Sequence, residues 1–164
     1  MTPELPRSFK LVTLWLLIGA ALFVAVQWWQ REQARTRFRA DGGAIEIARG
    51  ADGHYHWPGT INGRDVDFLV DTGATGSAMS AALARELGLG ALGSVQSNTA
   101  GGTVTGTLVQ ADLALRGGVR AERLRMVALP GLGEHPLLGM DVLGRLRWRQ
   151  GDGVLRIEAG GRDG

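Results

Sequence analysis

The sequence predicts an all-β fold, a small closed β-barrel with one short helix, carried behind a single transmembrane helix. Three observations predict it. From residue 44 onward, short apolar-alternating runs are broken by turn residues about every ten positions, the spacing of strands joined by tight turns. The chain has 26 glycines against 5 prolines with no Gly-X-Y period, and only 6% aromatics, which suits many tight turns around a core of Val, Leu and Ala. Residues 11–26 carry no charge and only Thr13 as a polar side chain, a composition set apart from everything downstream.

The totals narrow the function classes. With 164 residues there is room for one ordinary domain and an appendage, and 45% hydrophobic residues suffice for a core. The formal charge is +2, with the arginines spread along the chain rather than gathered into a run with interleaved aromatics, so nucleic acid is not an expected partner. No cysteine is present, which removes disulfides, thiolate nucleophiles and Cys-based metal sites.

Residues 1–10 form a short polar flank holding Arg7 and Lys10. Extending the apolar run to Trp29 gives about 19 residues, roughly 28 Å of helix against the ~30 Å of a bilayer's hydrocarbon, so 11–29 is expected to be an anchor in contact with membrane lipid. Trp28 and Trp29 occupy the place of an interfacial aromatic belt, and the bulky residues 27–31 offer no small-residue cleavage site for a signal peptidase. Arg31, Arg35, Arg37 and Arg39 on the downstream flank outnumber Arg7 and Lys10 upstream, which taken alone places the following domain in the cytoplasm. Residues 30–43 lack apolar periodicity and read as a juxtamembrane tether.

The domain expected over 44–158 opens with Ile45 and Ile47 in alternation, a turn at Asp52-Gly53, and apolar positions at Tyr55, Trp57 and Ile61. Asn62-Gly63 is the strongest short hairpin signal in the chain and feeds the run 66–70. That run ends in Asp71-Thr72-Gly73-Ala74, which places a carboxylate on a tight turn where glycine lets backbone approach backbone. Asp-Thr-Gly alone is ambiguous, because these are ordinary turn residues. Ser80 is placed to cap a short helix over 81–87 that Gly88 ends. Residues 95–109 alternate again around the tip Thr99-Ala100-Gly101-Gly102-Thr103, which can serve as a plain hairpin or a bending lid. Asp112 opens a further strand pair through Gly117-Gly118, the apolar segment 136–143 contains Gly139, and Gly151-Asp152-Gly153 turns a last hairpin before the polar tail 159–164.

Taken in order, Gly59, Ile61-Asn62-Gly63, Phe68-Leu69-Val70-Asp71-Thr72-Gly73-Ala74-Thr75, Met79-Ser80 before a helix, the hairpin 99–103 and Leu137-Leu138-Gly139-Met140 resemble the retropepsin-like aspartic proteases of clan AA, most closely their membrane-anchored bacterial branch. The resemblance covers residues 54 to 157. It implies an aspartic endopeptidase, a peptide hydrolase with no cofactor, whose catalytic residue is Asp71. Only one Asp-Thr-Gly is present. The implied active form is therefore a homodimer in which the two Asp71 side chains meet, one protonated and polarising the scissile carbonyl, the other activating water. In that reading Thr72, Gly73 and Ala74 shape the active-site loop, Gly139 packs beneath it, and Thr99, Ala100, Gly101, Gly102 and Thr103 are a flap over a protein or peptide substrate held as an added strand. Where the family often has Asn at the flap tip, this chain has Gly101-Gly102. The branch also implies a single-pass protein of the inner membrane with its protease domain on the periplasmic side, against the charge count. The rival reading is a non-catalytic, membrane-tethered module binding a peptide or a partner's strand on the same fold.

Other polar residues have plainer expectations. Asp141 is expected to cap the short helix after Gly139. His54 and His56, two apart with no third ligand nearby in sequence, are expected to be surface residues rather than a metal site, and His135 to lie in a loop. Asp65, Asp67 and Asp112 fit strand ends facing solvent, and the arginines at 145–149 one solvated strand face.

Overall fold

The computed structural model describes residues 7–33, 37–99 and 102–160. The chain divides into two compact units, Met1–Arg35 and Thr36–Gly164.

The first unit is helix α1, Arg7–Gln33, of 27 residues with no acidic residue in its first turn. Trp15, Leu16, Leu17, Leu22, Phe23, Val24 and Trp28 are exposed along it. Among the described residues no helix is long and apolar enough to cross a membrane; the side chains of α1 are described at Thr13 and 15–28, a stretch short of a span.

The second unit runs β1 (Arg37–Ala48), β2 (His56–Ile61), β3 (Arg64–Val70), β4 (Ala78–Ser80), α2 (Ala81–Glu86), β5 (Gly93–Thr99), β6 (Gly102–Leu115), β7 (Val119–Leu129), β8 (Leu137–Leu138), α3 (Met140–Leu143), β9 (Arg147–Gly151) and β10 (Val154–Gly160). Neighbouring strands follow the order β5-β6-β2-β3-β8-β4-β7-β1-β10-β9, and β6 also pairs with β7. That extra pairing closes β6, β2, β3, β8, β4 and β7 into a six-stranded barrel, so β5 extends it from one side and β1, β10 and β9 from the other. Closure removes free sheet edges from the barrel itself and confines them to β5 and β9.

The β2–β3 turn shows why Asn62-Gly63 is so strong a hairpin signal. Both residues have positive φ, 50° and 83°, the geometry whose twist matches that of the flanking strands. The hairpin sets Trp57 opposite Phe68, and both are fully buried with Ile61, Met79, Met126, Leu138, Leu143, Leu155 and Ile157. The Trp57 indole N–H is satisfied by the carbonyl of Arg116, 2.9 Å away.

Two boundaries differ from the sequence reading. Strand β1 begins at Arg37, within the stretch 30–43 expected to be tether, and pairs first with β7 and then with β10 across a register shift between Asp41 and Ala44. The segments expected as separate strands on either side of 110 form the single 14-residue strand β6. Its irregularity lies between Ala111 and Leu113, where the Asp112 carboxylate accepts the N–H of Arg123, a non-glycine residue at φ 55°. Asp112 is therefore a bulge residue within a strand. Helix α2 is as expected, with the Ser80 side chain accepting the Leu83 N–H at 3.1 Å, and Gly88 at φ 64° just beyond the end.

Candidate active site

Asp71 lies at the point where β3 leaves the sheet. Its N–H donates to the carbonyl of Leu138 at 3.0 Å, continuing the parallel pairing of Leu69 with Leu137 and Val70 with Leu138. The side chain then turns back on its own loop: Oδ1 accepts the Gly73 N–H at 2.9 Å, and the Asp71 carbonyl accepts the Ala74 N–H at 3.3 Å. Asp71 is half-buried, while Thr72 and Gly73 are exposed at the tip. A carboxylate with one oxygen tied to backbone and the other unengaged among the described residues is oriented without being consumed.

The loop is held from below by the turn after β8. A Cβ on Gly139 would lie 2.5 Å from the carbonyl carbon of Gly76 and 3.0 Å from the carbonyl oxygen of Ala74, so only glycine admits this approach. Backbone bonds stitch the two segments together, Met140 N–H to the Ala74 carbonyl at 2.9 Å and Asp141 N–H to the Thr75 carbonyl at 3.1 Å.

A residue that sequence reasoning missed fastens this contact. Ser77 is 1% exposed, the one buried polar residue among those described. Its hydroxyl donates to Asp141 Oδ1 at 2.7 Å and accepts the Gly139 N–H at 3.1 Å, while its own N–H donates to Asp141 Oδ2 at 3.0 Å. Asp141 was expected to be a helix cap. The cap residue of α3 is instead Gly139, with no side-chain bond, and Asp141 stands in the first turn with its carboxylate committed to Ser77 and to the Val142 N–H. The 64-residue separation explains why no local pattern announced it.

The expected flap is the β5–β6 hairpin, paired from Gly93↔Leu108 through Thr99↔Gly102. Gly102 has φ 110°, and Thr103 is exposed; Ala100 and Gly101 lie outside the described residues. The hairpin passes close over the end of β7 at Gly106, where a Cβ would lie 2.6 Å from Val127 Cγ1 and 2.8 Å from Leu129 Cδ2. Val127 in turn donates its N–H to the Ser77 carbonyl at 3.1 Å, which ties the hairpin's base to the Asp71 loop through β7.

The histidines and Asp67, expected to be separate solvated residues, are partly gathered. His56, Asp67 and His135 come together, with Asp52 on the far side of the His56 ring, whereas His54 stays outside the cluster. The Asp52 carboxylate against Nε2 is the main cause that raises the His56 pKa above its ordinary value, burial opposes it, and Asp67 adds to the rise. Asp52 is lowered by the same hydrogen bond, assisted by the His54 N–H.

Among solved structures, the fold is similar to that of a retropepsin-like aspartic protease from Rickettsia conorii, at 24% sequence identity and a TM-score of 0.56 over 75% of this chain and 92% of that one. No curated protein matches the sequence. The family model described as "gag-polyprotein putative aspartyl protease" matches residues 57–145, which include the β2–β3 hairpin, Asp71-Thr72-Gly73, Ser77 and the Gly139–Asp141 turn. A match over more than half of the chain, on a barrel with the Asp-Thr-Gly loop at the end of its third strand, makes this protein a member of that aspartyl protease family, with a retropepsin-like fold.

Proposed function

We propose that this chain is one half of an aspartic endopeptidase, with Asp71 as its catalytic carboxylate and a second copy supplying the other. The observation that carries the reading is the contrast around Asp71. Its carboxylate is oriented by a single backbone N–H on an exposed tip, whereas both oxygens of the acidic residue of the adjoining turn, Asp141, are already engaged by Ser77 and by the Val142 N–H. An intrachain dyad with Asp141 is thereby disfavoured, and exposed Thr72 and Gly73 offer a small, rigid surface for a two-fold partner.

Two carboxylates brought together this way cannot both ionise readily, so one stays protonated. The ionised Asp71 removes a proton from a water molecule as the oxygen attacks the scissile carbonyl carbon. The protonated Asp71 of the other copy hydrogen-bonds the carbonyl oxygen and gives up its proton to it. The tetrahedral diol then collapses: the Asp71 that took the proton from water gives it to the leaving nitrogen as the C–N bond breaks, and the other Asp71 takes the proton of a diol hydroxyl as the C=O bond re-forms, so the dyad again holds one shared proton. The β5–β6 hairpin is suited to lie over an extended peptide, because the outer side of β5 has no strand paired to it among the described residues.

The anchor belongs to the same proposal. A 27-residue helix with Leu16, Leu17, Leu22, Phe23 and Val24 exposed, and an uncharged sequence over 11–26, supports insertion of 11–29 into a bilayer. We place the barrel on the periplasmic side of the inner membrane, and a carboxyl-terminal reporter active on one side only tests it; activity in the cytoplasm overturns the placement.

The deciding experiment is cleavage of an unstructured protein by the full-length chain in detergent, from acidic to neutral pH, with wild type beside Asp71→Asn. Cleavage by wild type and none by the variant supports the reading. Cleavage by Asp71→Asn at the wild-type rate overturns it. Loss of activity from both, with stable peptide binding, favours a binding module on the same fold.

A further inference from the structure

The barrel carries a second constellation of chemistry-bearing side chains that the protease reading does not use. His56 opens β2, Asp67 faces it from β3, and His135 stands in the loop that leads into β8. His56 Nδ1 lies 2.9 Å from Asp67 Oδ2, and His135 Nδ1 lies 3.8 Å from that oxygen and 3.1 Å from the Asp67 carbonyl. The two imidazole rings meet edge to face at 5.0 Å between centroids. One donor atom from each of the three residues falls within 4.8 Å of the others.

We propose that His56, Asp67 and His135 form a binding site for a divalent cation of the Zn²⁺ class, with Asp52 as the outer carboxylate that orients His56. Two imidazoles and one carboxylate are the donor set of a borderline cation, and neither an all-oxygen site for Mg²⁺ or Ca²⁺ nor a thiolate site. Donors of a tetrahedral Zn²⁺ stand about 3.3 Å apart, so binding draws the three donor groups together from their spread of up to 4.8 Å, with the His135 ring turning from its bond to the Asp67 carbonyl. Three protein ligands leave a fourth position for water.

Asp52 supplies an independent geometric argument. Its Oδ2 is 2.8 Å from His56 Nε2, the ring nitrogen turned away from Asp67. A carboxylate there holds a proton on Nε2 and leaves the Nδ1 lone pair for a cation, the arrangement that orients imidazole ligands at metal centres. Asp52 is itself held by the His54 N–H, which bonds its other oxygen at 3.1 Å. The site draws on three separate segments, so a bound cation ties the loop before β8 to the β2–β3 hairpin. Pro136, next to His135, already gives its carbonyl to the Leu69 N–H, and two residues further on Leu138 accepts the Asp71 N–H. The cation acts as a staple on the strand pair that carries the catalytic loop.

The test is Zn²⁺ binding by the full-length chain in detergent after chelator treatment, followed by competition against a chromophoric chelator, by visible absorption with Co²⁺, and by thermal unfolding. Wild type is expected to bind one ion per chain, to show d–d absorption with Co²⁺, and to unfold at a higher temperature with the ion than without. His135→Gln, on an exposed loop where folding is not at stake, is expected to weaken binding at least about tenfold and to remove the thermal shift, and Asp52→Asn to weaken it by about 10–100-fold. His54→Gln is expected to bind as wild type does. No stoichiometric binding by wild type, undiminished binding by His135→Gln, or an equal loss in His54→Gln overturns the site. None of these readouts depends on proteolysis, so the site and the protease reading stand or fall separately.

Discussion

Asp71 and Asp141 stand on two adjoining turns of the same barrel, each just after an apolar strand, and the fold treats them in opposite ways. Asp71 receives one backbone N–H from its own loop and faces outward at a half-exposed tip. Asp141 receives the N–H and hydroxyl of buried Ser77 and the N–H of Val142, three hydrogen bonds that engage both of its oxygens. A carboxylate that must exchange protons needs orientation with free lone pairs; one that must hold a turn in place needs both of its oxygens bonded to the segments it joins. In the proposed enzyme the pair separates catalysis from support on two adjoining turns, and identical substitutions should separate them in measurement.

The largest effect is expected from Asp71→Asn, which should lower cleavage on the order of 10³-fold or more while thermal unfolding stays at the wild-type temperature. Asp141→Asn should do the reverse. Replacing a charge-assisted set of hydrogen bonds by neutral ones costs about 1–2 kcal/mol, read as a lowered unfolding midpoint, with residual activity in the folded fraction. Mixing wild type with Asp71→Asn in equal amounts sharpens this further. If every active site takes one carboxylate from each copy, random pairing leaves about a quarter of the dimers with two wild-type halves, and activity per total protein falls accordingly. Activity that falls only by half breaks the shared-site reading.

Next in size is Gly139→Ala. The added methyl meets the backbone of Gly76 and Ala74, atoms with no rotamer to escape into, so about 3 kcal/mol of destabilisation is expected, the upper end for overpacking. Because the clash pushes on the 74–76 segment, cleavage should fall more than the folded fraction does. Equal falls would mean that the turn supports the fold without positioning Asp71. Ser77→Ala follows at about 1–3 kcal/mol, since it leaves the buried Gly139 N–H without its acceptor and takes the hydroxyl donor from Asp141 Oδ1, which keeps only the Val142 N–H. Urea unfolding of both variants beside wild type ranks them.

The contrast between the two carboxylates also marks where the sequence was readable. The place of Asp71 at the end of β3 was legible because the signals for that strand are local: Asn62-Gly63 sets the hairpin, the register of β3 follows, and the strand ends where Asp-Thr-Gly begins. Ser80 and Gly88 were legible for the same reason, as start and stop signals of one short helix. Gly139 was found only through resemblance to a family, because its need for glycine arises from backbone 63 residues earlier at Gly76. Ser77 and Asp141 were misread or passed over, since a serine among small turn residues and an aspartate in a helix's first turn both have satisfactory local explanations. The gathering of His135 with His56 and Asp67 escaped in the same way: the loop before β8 reaches the β2–β3 hairpin through a parallel pairing of two residues, Leu69–Val70 with Leu137–Leu138, too short to leave a periodic trace.

The smallest expected effect comes from a polar group that the fold treats unlike Ser77. The Tyr55 hydroxyl is buried with no hydrogen-bond partner among the described residues, although the Tyr55 backbone carbonyl accepts the Val70 N–H immediately before Asp71. Ser77 uses its hydroxyl as both donor and acceptor and is costly to remove, whereas the Tyr55 hydroxyl gives up its hydration for nothing in return. Tyr55→Phe keeps the ring in the core and deletes only that oxygen, so the unfolding free energy should rise by about 1 kcal/mol or less, with cleavage unchanged. A decrease of similar size would mean that the hydroxyl is served by a buried water, which a single enclosed oxygen with nearby carbonyls can recruit. Stabilisation at Tyr55 together with destabilisation at Ser77 would show that the barrel's polar interior is tuned where it holds the Asp71 loop and left untuned one strand away.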